Sequence, residues 1–180
     1  MNAIEFLKSE HRNVERLLKV IKAMSYQVLQ NDIQNYDDFY VVIDCIRNYA
    51  DKIHHKKEED YLFDMMIKEL PEAIRKTIQY GMLVEHDQGR LLVTNLELGL
   101  NDFNLGNDIA RLDIISNAMG YVGLLERHIH KEDKVVFEFA DKHLSKESKD
   151  SLNSKFSVIV ENEGSQVYIE KLEKLEKEYL

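Results

Sequence analysis

The sequence predicts an all-α protein: an up-down-up-down four-helix bundle with an additional C-terminal helix. Three observations predict it. One proline and seven glycines among 180 residues leave little turn chemistry for a sheet protein, while Glu, Lys and Leu abound. Apolar side chains recur at alternating spacings of three and four along four long stretches, the seam of a bundle helix. The first two stretches also mirror the next two. Glu10-His11 and Glu85-His86 stand 75 apart, and His54 and His128 stand 74 apart. Two matching helical hairpins hold their corresponding residues at a similar depth.

The first helix should run from about Ala3 to Gln30, with Ile4, Leu7, His11, Val14, Leu18 and Ile21 on one face. Asn31-Asp32-Ile33-Gln34-Asn35 reads as a connection, after which Asp37 or Asp38 can cap a second helix. That helix, about Asp38 to Glu69, carries the inward stripe Ile43, Ile46, Ala50, His54, Glu58, Tyr61 and Met65. Pro71 ends it and suits the first turn of a third helix. The third continues to about Leu100 with Ile78, Met82, His86, Gly89, Val93 and Leu96 in register. Gly99 and the polar run 101–108 form the clearest break. The fourth helix, about Asp108 to His143, has the seam Ile114, Ala118, Tyr121, Leu125, His128, Glu132, Val135 and Phe139. Beyond Leu144 a fifth segment carries Leu152, Phe156, Ile159 and Val160, then Tyr168, Leu172, Leu175 and Tyr179. Residues 1–145 are expected to form the bundle. Residues 146–180 are an extension packed on it or at a subunit interface, as in a homodimer.

A net charge of −9, with no basic cluster free of acids, argues against nucleic acid and against anionic membrane surfaces. No apolar run reaches membrane-spanning length. The start, Met1-Asn2-Ala3-Ile4-Glu5, lacks the pattern of a signal peptide, so a soluble, cytoplasmic protein is expected. Cys45 is the one cysteine and lies in an apolar run, which suits a small core residue.

Chemistry concentrates in two segments that align without a gap, His54-His55-Lys56-Lys57-Glu58-Glu59-Asp60-Tyr61-Leu62-Phe63 and His128-Ile129-His130-Lys131-Glu132-Asp133-Lys134-Val135-Val136-Phe137. In each, a histidine precedes a glutamate by four, which stacks imidazole and carboxylate on one helix face. With His11 and His86, four seams each carry an inward imidazole. Two charged carboxylates among apolar neighbours need partners or a cation. Without a thiolate the site is not a zinc finger, and six or seven N/O donors exceed what a structural zinc takes. Calcium has no use for four imidazoles. Imidazole with carboxylate and open positions points to iron, with manganese as a substitute. Two bridging glutamates make two metals the natural count. Ferritin-like bundles use Glu-x-x-His with carboxylates in the majority, unlike the His-x-x-x-Glu order here.

At these residues the chain resembles the hemerythrin family of histidine-histidine-glutamate cation-binding domains, over roughly residues 3–143. The resemblance implies a bundle holding a non-haem di-iron centre, bridged by two glutamates and an oxo or hydroxo group. It implies the ligands His11, His54, Glu58, His86, His128 and Glu132. Oxygen-carrying hemerythrins place a further histidine four residues after the third-helix one, where this chain has Arg90; His55 can supply the seventh donor. Tyr61 and Tyr121, on inward seams, can hydrogen-bond the bridge or a bound oxygen species. Glu10 and Glu85 read as solvated helix faces, Glu59 and Asp133 as surface, and His130 and His143 as residues without a role.

The expected function is binding of a small diatomic ligand, O2 first and NO second, for sensing, carriage or scavenging. One alternative is a di-iron enzyme or iron donor in peroxide or NO detoxification or iron-centre repair, fed by an unknown electron donor. The other is a metal-responsive interaction module.

Overall fold

The structure is a computed structural model that describes residues 1–33, 35–162 and 164–180. Gln34, assigned above to the first connection, lies outside the described residues. Among those described there are six helices and no strand. They are α1 (Ala3–Gln30), α2 (38–69), α3 (72–104), α4 (111–143), α5 (Lys146–Val160) and α6 (Gln166–Tyr179). No described helix is long and apolar enough to cross a membrane.

Local chemistry sets the ends. Asn2 caps α1, its side-chain oxygen accepting from the Ile4 and Glu5 amides, and Asn31 closes it in the left-handed conformation at φ 57°. Asp37 stands before α2 but makes no side-chain capping bond. Leu70 is extended ahead of Pro71, as a residue before proline prefers, and Pro71 itself stands just outside α3. The break predicted at Gly99 is not there. Gly99 is buried inside α3, where an added Cβ would lie 3.2 Å from Asp113 Cβ and 3.3 Å from the Ile114 amide. It is a close-approach residue, and the turn falls within the predicted run 101–108, at Gly106, φ 96°. The C-terminal extension is two helices rather than one, separated near Gly164, φ 65°.

Two apolar cores fill the bundle. One holds Leu7, Leu62, Phe63, Met66, Met82, Val136 and Phe137. The other holds Val14, Ile21, Phe39, Ala50, Val93, Leu100, Ile114 and Leu125. Each of α1–α4 passes from one core to the other, in alternating order along the chain, and crosses a polar layer between them. The tail follows the same length: α5 buries Leu152 and Phe156 in the first core, and α6 buries Leu172 and Leu175 in the second. Asn153 accepts from the Ala3 amide at 2.8 Å. Glu176 pairs with Arg16 at 2.6 Å, and Lys171 pairs with Asp44 at 2.6 Å. The apolar stripe of α6 is therefore spent within the chain.

The helices are not uniformly wound. Wide π-turns occupy Ile46–His55 and Glu58–Phe63 in α2, Ile78–Met82 in α3 and Glu132–Val136 in α4. A π-turn takes an extra residue and rotates everything after it. Past Glu58 the buried positions are accordingly Leu62, Phe63 and Met66, not Tyr61 and Met65. Past Glu132 they are Val136, Phe137 and Ala140, not Val135 and Phe139. The same correction appears in both hairpins.

Candidate metal centre

The polar layer is assembled from all four long helices. His11 comes from α1, His54, His55 and Glu58 from α2, His86 from α3, and His128 and Glu132 from α4; all are buried. Glu58 Oε1 lies 3.6 Å from His11 Nε2 and 3.3 Å from His54 Nε2, and its Oε2 lies 3.6 Å from His86 Nε2. Glu132 Oε2 lies 3.2 Å from His11 Nε2 and 3.1 Å from His128 Nε2, with Oε1 3.9 Å from His86 Nε2. The donors fall into two groups, His11–His54–Glu58–Glu132 and His55–Glu58–His86–His128. Within each group the ligand atoms are all within 4.8 Å of one another. Two atoms bonded to one ion at about 2.1 Å, some 90–120° apart, lie roughly 3.0–3.6 Å from each other. The observed spacings match, apart from the 3.9 Å between Glu132 Oε1 and His86 Nε2.

Satisfaction of hydrogen bonds points the same way. Among the described residues, the buried side-chain atoms without a hydrogen-bond partner are His11 Nε2, His54 Nε2, His55 Nδ1, the four carboxylate oxygens of Glu58 and Glu132, and the Tyr121 hydroxyl. All but the last belong to the two donor groups. Each such atom costs ~1–3 kcal/mol unless something compensates it. A cation in each group would do so, and the residues present fit one.

The far nitrogens of four of the five imidazoles each donate to a carboxylate. His11 Nδ1 donates to Asp133 at 2.7 Å, His54 Nδ1 to Glu10 at 3.1 Å, His86 Nδ1 to Glu59 at 2.7 Å and His128 Nδ1 to Glu85 at 2.9 Å. An ionised carboxylate can only accept, so the Nδ1 proton is fixed and the Nε2 lone pair is turned inward. His86 Nε2 and His128 Nε2 then face each other at 3.0 Å, an arrangement that requires a proton or a cation between them. The acids are anchored in turn: Lys57 donates to Glu10 at 2.6 Å, Lys131 pairs with Glu85, and Arg12 pairs with Asp133.

These four acids are what the sequence reading missed. Glu10, Glu85, Glu59 and Asp133 are not solvated faces. Glu10 is buried, and the others are largely covered by the imidazoles they hold. The internal repeat carried the signal. Glu10 and Glu85 recur at the 75-residue offset, and Glu59 and Asp133 recur at the 74-residue offset.

Arg90 is turned onto the same network. Its guanidinium donates to Asp51 at 2.9 Å, to Glu59 at 2.8 Å and to Asp87 at 2.8 Å, and Asp51 lies 3.4 Å from His55 Nδ1. It orients the acids behind His55 and His86. Tyr61 is not brought to the imidazoles; the π-turn carries it outward against Phe156 and Lys155. Tyr121 is brought close, lining a cavity with His55 and His86. Phe137 stacks on His11 and Phe63 on His86, at 5.3 and 6.1 Å between centroids, closing the layer on one side. Cys45 is buried, its thiol pushed up to about 11 by burial and by Asp44.

Without an ion the layer balances its charge with protons. Burial opposes a charged His86, but Glu132 and Glu59 overcome it and raise the imidazole to about 10. His11, His54 and His128 are raised in the same way against their burial, and Glu132 is held well below the usual carboxylate range by His128 and His11 despite its burial. His55 is the exception. Burial, then the neighbouring His86, lowers it to about 3 and leaves it neutral with a free lone pair.

The model of the hemerythrin HHE cation-binding domain matches residues 2–140. The chain belongs to that family. Comparison with curated proteins and with solved structures returned no match. As a hemerythrin-like domain the protein is a cation binder, and its His/Glu groups are the places where a metal fits.

Proposed function

We propose that this hemerythrin-like protein holds two iron ions between α1–α4 and uses them to bind a small diatomic ligand, O2 first and NO second. One observation carries the reading. Buried, unpartnered imidazole nitrogens and carboxylate oxygens converge in two groups that share Glu58. His11 and His54 would serve one ion and His55, His86 and His128 the other, with Glu58 and Glu132 bridging. Manganese is the substitute this donor set allows. The alternating passage of α1–α4 between the two cores supports an up-down-up-down four-helix bundle, with residues 146–180 as its packed extension.

When bound, a ferrous pair supplies redox electrons and an open position for a diatomic ligand. The chain supplies the rest. Glu10, Glu59, Glu85 and Asp133 fix the Nδ1 protons of His54, His86, His128 and His11, so those four Nε2 atoms face the centre without rearrangement. Leu62, Phe63, Val136 and Phe137 exclude water from one side, and Ala50 and Leu125 lie in the core on the other. The bridging carboxylates are buried completely, which removes the competing hydration of a cation's ligands.

The test is metal analysis of protein purified without oxygen, with visible spectra before and after air. Two irons per chain and an oxygen-dependent band that reverses on degassing are expected. One metal or none after reconstitution would overturn the two-ion reading. Irreversible oxidation would move the assignment to an enzyme or iron donor.

A further inference from the structure

On one flank α1 is covered by α6, which buries Leu172 and Leu175 and gives Glu176 to Arg16. On the other flank, between α1 and α4, the groove stays open. It holds a cavity of about 490 Å³, lined on α1 by Lys22, Tyr26 and Leu29 and on α4 by Ile115 and Met119. A second cavity of about 470 Å³ continues it toward Arg12 and Asp133, and Lys19 lines both. From Arg12 to Leu29 the rise of α1 is about 25 Å, room for a helix longer than α6 at about 21 Å.

The end near Leu29 is apolar. Tyr26 and Leu29 stand three apart on α1, and Leu112, Ile115 and Met119 stand three and four apart on α4, so each set lines one helix face. Arg111 donates to Asn31 at 2.9 Å and holds the two helix ends together. Tyr26, Leu29 and Leu112 are 62%, 66% and 65% exposed. One exposed apolar side chain is ordinary, but a set of them converging on one groove marks an interaction site.

Charge decides what covers it. The chain carries −9, yet this half of the groove is edged by Lys19 and Lys22 and lined by no acid. Both lysines are exposed, and among the described residues neither makes an ion pair. Lys19 stands near Glu176, but Arg16 already holds that carboxylate. A second copy offering the same patch would bring no acid to meet them.

We propose that the α1–α4 groove docks an acidic amphipathic helix of a partner protein. The helix lays its apolar stripe on Tyr26, Leu29, Leu112, Ile115 and Met119 and sets its carboxylates against Lys19 and Lys22. The molecule contains its own precedent in α6, which is amphipathic, turns Leu172 and Leu175 inward and pairs Glu176 with Arg16, three residues before Lys19. No donor of the polar layer lines the apolar half, so docking there is separable from which ion the bundle holds.

The probe is a fluorescein-labelled synthetic helix of about 16 residues, with leucine every third and fourth position and glutamate on both flanks. A twin carries lysine in place of each glutamate. Anisotropy is read on the metal-loaded full chain. The glutamate helix is expected to bind, and Lys19→Glu with Lys22→Glu is expected to weaken it at least tenfold without weakening the twin. Leu29→Asp, at an exposed position, is expected to weaken it at least tenfold with metal content and melting temperature unchanged. No binding at millimolar peptide, or an unchanged affinity in either variant, would overturn the proposal. Equal weakening of both peptides by the lysine changes would overturn it as well. So would self-association in sedimentation that Leu29→Asp abolishes, which makes a second copy the occupant.

Discussion

Stripping the metal and titrating it back should move the melting temperature by an amount that counts the ions. His11 Nε2, His54 Nε2 and the oxygens of Glu58 and Glu132 have no hydrogen-bond partner, and a cation compensates them only in the folded state. Each tenfold rise in free metal above the dissociation constant then adds about 1.4 kcal/mol per site. A chain of this size gains about 2–4 °C per kcal/mol. One site therefore gives about 3–6 °C per decade of free metal, and two sites give about 6–11 °C. The assay is thermal melting by circular dichroism, without oxygen, with ferrous iron buffered over three decades. The variant carrying both His54→Ala and His128→Ala removes one donor from each group and should lose the slope. A flat melting temperature in the unmodified protein, or a full slope in that variant, would refute the assignment of these residues to metal.

Four other outcomes are expected. Arg90→Met should weaken metal binding about tenfold, because Asp51 and Glu59 lose the guanidinium that orients them, while costing less than about 1 kcal/mol of stability at this part-exposed site; competition with a chromophoric chelator measures it, and an unchanged affinity would count against the orienting role. In the metal-free protein the raised His86 contributes stability fully present below its unfolded value near 6.5 and lost as pH rises through about 10. Its melting temperature should therefore fall between pH 6.5 and 10, whereas the metal-loaded protein should not follow it; a metal-free protein that gains stability over that window contradicts the charge balance. Gly99→Leu should cost about 1–3 kcal/mol in urea, since the new side chain meets the Asp113–Ile114 backbone. Leu175→Ala should cost about 2–5 kcal/mol and raise amide exchange across 166–179, unless α6 is not seated as described.

The long helices, and the histidines and glutamates that meet in the polar layer, were legible because seam periodicity needs only the chain itself. The α1 boundaries Ala3 and Gln30 and the stripe from Ile78 to Leu96 follow from it directly. Past the wide turns that begin at Glu58 and Glu132, the same template fails. Tyr61, Met65, Val135 and Phe139 were placed inward because nothing in the residue types after Glu58 or Glu132 announces a π-turn. The four supporting acids were misread for a related reason. A residue next to an inward one points about 100° away, which on a lone helix means solvent. In a bundle it means the neighbouring helix, and there each acid meets an imidazole from another part of the chain. Arg90 was read as an absence, a missing histidine, because its partners Asp51 and Glu59 lie on a different helix.

The carboxylate–imidazole contacts lace the two hairpins crosswise. Glu10 and Glu85 hold imidazoles of their own hairpin, but Asp133 reaches His11 across 122 positions and Glu59 reaches His86 from the opposite half. Neither half could hold its own imidazoles correctly if severed, so capture of an ion certifies that the first and last long helices have met. The lacing also has a two-fold character that the chain does not require to be covalent. A half-length chain meeting a copy of itself would reproduce each contact, with one copy's acid steadying the other's imidazole. What the joined chain adds is the freedom for its halves to diverge, so that His55 in one and Gly89 in the other stand where the repeat has Ile129 and Val14.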